Sequence, residues 1–270
     1  MNDITPRIDF QNELSGLFDL SGQVAFVPGG YGGIGEAIAW GLALSGAKVM
    51  IAGRDREKAE TLAAQICEAG YEAQGIAVDV TSVADIDRAA GDVVRAFGAI
   101  DILMNCVGTQ KEQLLLDVTE EAFDEVYQVN LKSAMFLAQS VAKHQVASGT
   151  GGKQVHLLSV RSQLGIRDRG YSAYCATKGG MVMLIKQHAM ELAPKGITVN
   201  GVAPTFVYTE MICHVMENDT FRQGLLDRIP LGRIADPKDV VGPALFFCAP
   251  ASGFVTGQTM YVDGGITSSQ

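Results

Sequence analysis

Short, unbroken apolar runs alternate along the chain with longer stretches in which apolar residues return every three or four positions. The runs QVAFVP (23–28), KVMIA (48–52), QGIAV (74–78), ILMN (102–105), QVHLLS (154–159) and ITVNGVA (197–203) have the continuous apolar character of strands covered on both faces. Helical spacing falls between them, at roughly 33–45, 55–69, 82–97, 119–146 and 172–193. Repeated strand–helix alternation generates right-handed βαβ units, so the pattern predicts an α/β fold, a doubly wound parallel sheet with helices on both faces. No linker or composition break interrupts the series, which makes residues 17–270 one domain. Residues 1–16 stand ahead of the turn-forming Leu20-Ser21-Gly22 and read as an N-terminal arm. From Thr205 to Arg233 the spacing loosens into a long irregular segment, expected to be a substrate lid at about 205–233 rather than a core element.

Composition narrows the partners. Apolar residues make up 47% of 270 positions, enough for a sizeable core. Runs such as Ala244–Ala249 stop far short of the roughly 20 residues a spanning helix needs, so no membrane partner is expected. The N-terminal residues lack the basic flank and apolar stretch of a signal peptide, which predicts a cytoplasmic protein. Five scattered cysteines and the histidines His144, His156, His188 and His214 show no ligand spacing, so no metal is expected. A net charge of −9 without a basic cluster argues against nucleic acid and leaves a small-molecule substrate.

Two clusters carry candidate chemistry. After the first strand, Pro28 leads into Gly29-Gly30-Tyr31-Gly32-Gly33-Ile34-Gly35 and then a helix. Glycines there allow a left-handed bend and close approach of backbone to a pyrophosphate, while the helix start offers free N–H groups. The alternative is a merely flexible turn. Farther on, Tyr174-Cys175-Ala176-Thr177-Lys178 opens the helix after the fifth strand, and a spacing of four puts both side chains on one face. A lysine ammonium about 5 Å from the phenol, at an effective dielectric of about 20, would favour phenolate by roughly 3 kcal/mol. That would bring tyrosine down from its usual value of about 10 toward neutrality, as a general acid–base group requires.

The spacing Gly29-x-x-x-Gly33-x-Gly35 together with Tyr174-x-x-x-Lys178 resembles the short-chain dehydrogenase/reductase family, and the likeness runs from about Leu20 to Gly265. It implies a Rossmann-type, dinucleotide-binding catalytic domain that moves a hydride between a nicotinamide and a secondary alcohol or ketone. It implies cofactor contacts from Gly29, Gly33, Ile34 and Gly35. In this chain Pro28 replaces the family's threonine, which puts the loop's bracing in question. Asp79 and Val80 fall where the adenine is held, and an alternative for Asp79 is a cap for the next helix. Asn105 and Gly108, from Asn105-Cys106-Val107-Gly108, fall on the adenine-ribose side and brace the sheet. Val207 and Thr209 fall beside the nicotinamide carboxamide, with Thr205 in place of a glycine. Ile51-Ala52-Gly53-Arg54 has no acid at the strand end and an arginine just beyond, which favours NADP over NAD; Arg54 as an ordinary solvated loop charge is the alternative.

The resemblance assigns the catalytic set to Asn130, Ser159, Tyr174 and Lys178, with Ser159 holding the substrate oxygen, Asn130 anchoring a proton-relay water, and Lys178 also gripping the nicotinamide ribose. The separation of Ser159 from Tyr174 is longer than usual, which leaves Ser162 as a rival. A homo-oligomer, a tetramer first, is implied by the last strand within Gly253–Gly265. The wording around Ser159-Val160-Arg161-Ser162 is similar to gluconate 5-dehydrogenase-like members, so a sugar acid or polyol leads as substrate. One of Arg161, Arg167 and Arg169 could bind its carboxylate, against the alternative of a solvated loop. A 3-oxoacyl reductase acting on a carrier-protein or CoA thioester is the second reading, weakened by apolar Phe136 and Met190 where carrier-docking arginines would fall. A dinucleotide-sensing regulator without turnover is the third.

Overall fold

The computed structural model describes residues 9–210, 212–213 and 217–268. Seven strands form one parallel sheet in the order β3-β2-β1-β4-β5-β6-β7. They are β1 (Val24–Pro28), β2 (Lys48–Gly53), β3 (Ala73–Ala77), β4 (Ile102–Asn105), β5 (Gly152–Leu157), β6 (Ile197–Pro204) and β7 (Thr259–Val262). The order reverses between β1 and β4, and an open parallel sheet places its ligand crevice at the C-terminal strand ends beside such a reversal.

After a short α1 (Phe10–Ser15) come α2 (Gly33–Leu44), α3 (Arg56–Glu68), α4 (Val83–Phe97), α5 (Glu120–Tyr127), α6 (Ser133–Ser148), α7 (Ser172–Leu192), α8 (Asp219–Leu226) and α9 (Pro237–Cys248). Alternation along β1 shows how the layers close. Ala25 and Val27 point into a cluster with Ile38 and Leu42 of α2, Leu62 of α3 and Phe247 of α9. Val24 and Phe26 point the other way, into Ile86 and Val93 of α4 and Leu137 and Val141 of α6. A third cluster seats Met181 and Ile185 of α7 on Val199 and Ala203 of β6. Burial on both faces is why these strands read as continuous apolar runs.

The structure departs from the sequence pattern in several places, β7 among them, which lies outside the six apolar runs. The helix expected over 119–146 is split by a π-helical turn at Gln128–Lys132, which leaves no trace in apolar spacing. The fifth strand ends at Leu157, two residues before Ser159. Helix α9 lies where the pattern assigned nothing; Pro237 in its first turn and a capping box of Asp236 with Asp239 start it despite Gly242 and Pro243. The segment 205–233 is better packed than expected: Leu225 and Ile229 are buried with Ile266 against Leu164, Phe206 and Phe221. Residues 211 and 214–216 of that segment, and 1–8 of the arm, lie outside the described residues.

Candidate active site

Lys178 lies one turn beyond Tyr174 on α7, and its ammonium reaches the end of β5, donating to the Leu157 carbonyl at 2.8 Å. It is almost fully buried, and burial lowers its pKa to about 8. The same ammonium stands 5.7 Å from the centre of the Tyr174 ring. Burial acts on the phenol in the opposite sense, pushing Tyr174 up to about 12, while a hydrogen bond with the Ser159 side chain pulls it part of the way back. The phenol is thus raised above its ordinary value by burial, opposite in direction to the lowering expected from the lysine alone. Desolvation is the largest influence on the phenol, and one proton of the ammonium is engaged by a backbone carbonyl.

Asn130 sits in the π-helical turn and is wholly buried. Its amide nitrogen donates to the Thr109 carbonyl at 2.9 Å and the Thr177 hydroxyl at 3.2 Å, and its oxygen accepts from Thr109 N at 2.7 Å. The chain after β4 is thus tied to α7, beside Lys178. Gly108 belongs to this end too: a methyl group added there would lie 3.6 Å from Lys178 Nζ and 3.9 Å from Asn130 Oδ1. Gly108 therefore lies close to both Lys178 and Asn130.

The two serines separate cleanly. Ser159 is buried, lies near enough to Tyr174 to lower its pKa, and accepts from Arg161 N at 3.2 Å. Ser162 turns away to the Tyr261 hydroxyl at 3.1 Å. A short 3₁₀ turn over Val160–Ser162 separates the two side chains.

Across the crevice the surface is backbone. Gly29 has φ +76, and a methyl group there would meet the Cys106 carbonyl at 2.8 Å. A methyl group on Gly35 would meet the Gly29 carbonyl at 2.2 Å. The first turn of α2, including Gly33, Ile34 and Gly35, has no side-chain cap, so its N–H groups remain to be satisfied from outside. Pro28 does not loosen the loop, because Cys106 N donates to its carbonyl at 2.9 Å and Gly29 N donates to Ala52 at 2.7 Å. Thr209 stands directly over Gly33. Val207 makes a parallel bridge to Ala235. This cradle fits a dinucleotide pyrophosphate. Arg54 is exposed and has no acid partner among the described residues. Asp79 accepts from both the amide and the hydroxyl of Thr81, so it shapes the turn beside buried Val80, while Ser82 caps α4.

Asn105 makes contacts of the bracing kind expected of it. Its oxygen accepts from Val107 N at 3.0 Å, which fixes the amide so that its nitrogen donates to His156 Nδ1 at 3.2 Å. Burial drives His156 down to about 3 and keeps that acceptor unprotonated. Motif reading missed His156, Thr109 and Thr177, whose partners lie far off in sequence. It also missed Gln110, whose two amide atoms are buried without partners, and Tyr31, whose ring lies under Gly53 and whose hydroxyl accepts from Asp55 N at 3.0 Å.

The loop arginines divide three ways. Arg167 is exposed, and Arg169 pairs with Glu112 and lies over Tyr171 and Phe221. Arg161 is 3% exposed and near Tyr174.

Residues 29–267 match the family model described as enoyl-(acyl carrier protein) reductase. A gluconate 5-dehydrogenase of Gluconobacter oxydans is 36% identical over 258 residues, covering 94% of this chain and 98% of that protein. A 5-keto-D-gluconate 5-reductase of Escherichia coli is 34% identical over 253 residues, again covering 94% and 98%. A crystal structure of a gluconate 5-dehydrogenase from Burkholderia cenocepacia, in complex with NADP and tartrate, has a TM-score of 0.90 and 37% identity, covering 94% of this chain and 98% of that one. Among the described residues no helix is long and apolar enough to cross a membrane.

Proposed function

This chain belongs to the short-chain dehydrogenase/reductase family, and from that premise we propose that it is an NADP-dependent oxidoreductase of a sugar acid, with Tyr174 as its acid–base residue. The observation that carries the reading is buried Tyr174 with Ser159 near enough to lower its pKa and the Lys178 ammonium 5.7 Å from its ring centre.

A bound nicotinamide supplies the hydride acceptor or donor. Gly29, Gly33, Ile34 and Gly35 would hold its pyrophosphate, Thr209 would close over it, and Arg54 would meet a 2′-phosphate. Asp79 and Val80 remain on the adenine side. Tyr174 gives its proton to a ketone oxygen in reduction and takes one from the alcohol in oxidation. Its raised pKa keeps it protonated at neutral pH, the form that reduction needs. Ser159 holds the reacting oxygen within reach of that hydroxyl. Lys178 places a cation where phenolate forms and would hold the nicotinamide ribose. Asn130 positions the loop above the lysine through Thr109 and Thr177.

The sugar-acid reading draws on the names of the two curated relatives and on buried polar groups at the strand ends, which a fatty acyl chain would leave bare. The segment 205–233 serves as the substrate cover, supported by Thr209 over Gly33 and by Phe206 beside Arg161. Exposed Met183 and Met190 on α7 support assembly as a homotetramer, which light scattering would test.

The deciding assay follows nicotinamide absorbance with gluconate, other sugar acids, polyols and 3-oxoacyl thioesters, each with NADP and NAD. Turnover of a sugar acid with NADP is expected. Rapid reduction of an oxoacyl thioester with sugar acids inert would move the chain to the reductase activity that the family model describes.

A further inference from the structure

Resting on the sugar-acid reading above, we propose that Arg161 is the specificity residue that receives the substrate's carboxylate. The side chain is 3% exposed, yet among the described residues no carboxylate lies within ion-pair distance of it. NH1 donates to the carbonyls of Leu164 at 3.3 Å and Gly165 at 2.6 Å, whereas NH2 is buried with no partner. A buried guanidinium with a bare donor edge is an expensive feature unless an anion completes it.

Its surroundings say which anion. The backbone of Arg161 is bonded to Ser159, its guanidinium carbon stands 6.0 Å from the centre of the Phe206 ring, and its charge acts on Tyr171 and Tyr174. Exposed Arg228 adds a second cation to the same neighbourhood, which favours a negative group there. Cofactor phosphates have their own cradle at the start of α2, on the opposite wall. The remaining anion is the substrate's own. The other loop arginines are accounted for, Arg169 by Glu112 and Arg167 by solvent. Gln110 adds an unpartnered amide beyond Gly108 and Thr109, offering a donor and an acceptor of the kind that reads sugar hydroxyls.

The test compares Arg161→Met and Arg161→Lys with the wild type, each confirmed folded by its NADP affinity. Gluconate and its uncharged amide are the kinetic pair, and tartrate binding to the NADP complex is measured by calorimetry. In Arg161→Met the preference for gluconate over gluconamide, read as the ratio of kcat/KM values, should fall about 100-fold, with tartrate affinity falling similarly. Arg161→Lys should recover part of both, since it restores a charge without the planar fork. If Arg161→Met lowers both substrates equally and leaves tartrate binding intact, the carboxylate assignment is overturned. A wild type inert toward every sugar acid but binding tartrate through Arg161 would sink the sugar-acid reading alone and keep the anion site. A wild type showing neither overturns both.

Discussion

Between Gly29 and Gly35 the crevice wall on the β1 side offers backbone N–H groups and no charged side chain, whereas the wall built by β4, β5 and the start of α7 buries Asn130, His156, Arg161 and Lys178. The first wall works by shape: methyl groups at Gly29 or Gly35 would strike backbone carbonyls at 2.8 and 2.2 Å. The second works by partnering, with His156 pushed down to about 3, Lys178 to about 8 and Tyr174 up to about 12 by burial. Binding of a cofactor common to many reactions can thus rest on a surface with nothing to titrate. Choice of substrate and movement of a proton need groups whose ionisation the fold has set.

The sharpest way to break this contrast is to damage each wall once. Tyr174→Phe removes the proton donor and leaves the cradle whole, so kcat should fall roughly 1,000-fold, with NADP affinity within error of wild type by fluorescence titration. Gly35→Ala does the reverse. Its methyl group cannot be accommodated without moving the Gly29 carbonyl, and the NADP dissociation constant should rise roughly 100-fold. A Tyr174→Phe protein that binds NADP poorly would show that the walls are not separable.

Arg54 sharpens the comparison, because it is a charge added at the edge of a wall that otherwise has none. In Arg54→Ala, KM for NADP should rise about tenfold while KM for NAD stays put. Equal changes for both cofactors would mean that Arg54 is a solvated loop residue and that the adenosine end is read elsewhere.

The two walls also differ in how far the sequence discloses them. The glycine wall is local: Gly29, Gly33, Ile34 and Gly35 are neighbours in the chain, and strand before and helix after declare their geometry. The strand order beyond β3, the turn at 128–132 and α9 are not local facts. Asn130 meets partners 21 and 47 positions away, and Asn105 meets His156 across 51. No spacing rule reaches that far, which is why Gln110 drew no attention, why His156 was read only for ligand spacing, and why the burial that raises the phenol went unseen. A distance between two charges can be guessed from a helix repeat; the desolvation around them cannot.

His156 gives that hidden layer a measurable sign. Its folded pKa of about 3 lies below the ordinary 6.5, so the unfolded chain binds the extra proton. The stability it contributes is complete above about pH 6.5 and is lost as pH falls toward 3. Between about pH 6 and 5 the wild type should lose about 1 kcal/mol more than His156→Gln, roughly fivefold in the unfolding equilibrium measured with urea. Parallel losses in the two proteins would mean that the histidine is not held neutral by the fold.

The smallest expected effect separates two serines three residues apart. Ser162 bonds Tyr261 of β7, whereas Ser159 is the serine whose side chain acts on the Tyr174 phenol. Ser162→Ala should therefore change kcat less than about twofold and lower stability by about 1 kcal/mol, the worth of an ordinary hydrogen bond. Ser159→Ala should lower kcat by two orders of magnitude or so with the tyrosine still in place. Position in the chain cannot tell these residues apart, since both follow β5 and precede α7. Their partners can, and a large loss of turnover from Ser162→Ala would reassign the substrate oxygen to the β7 side of the crevice, away from Tyr174.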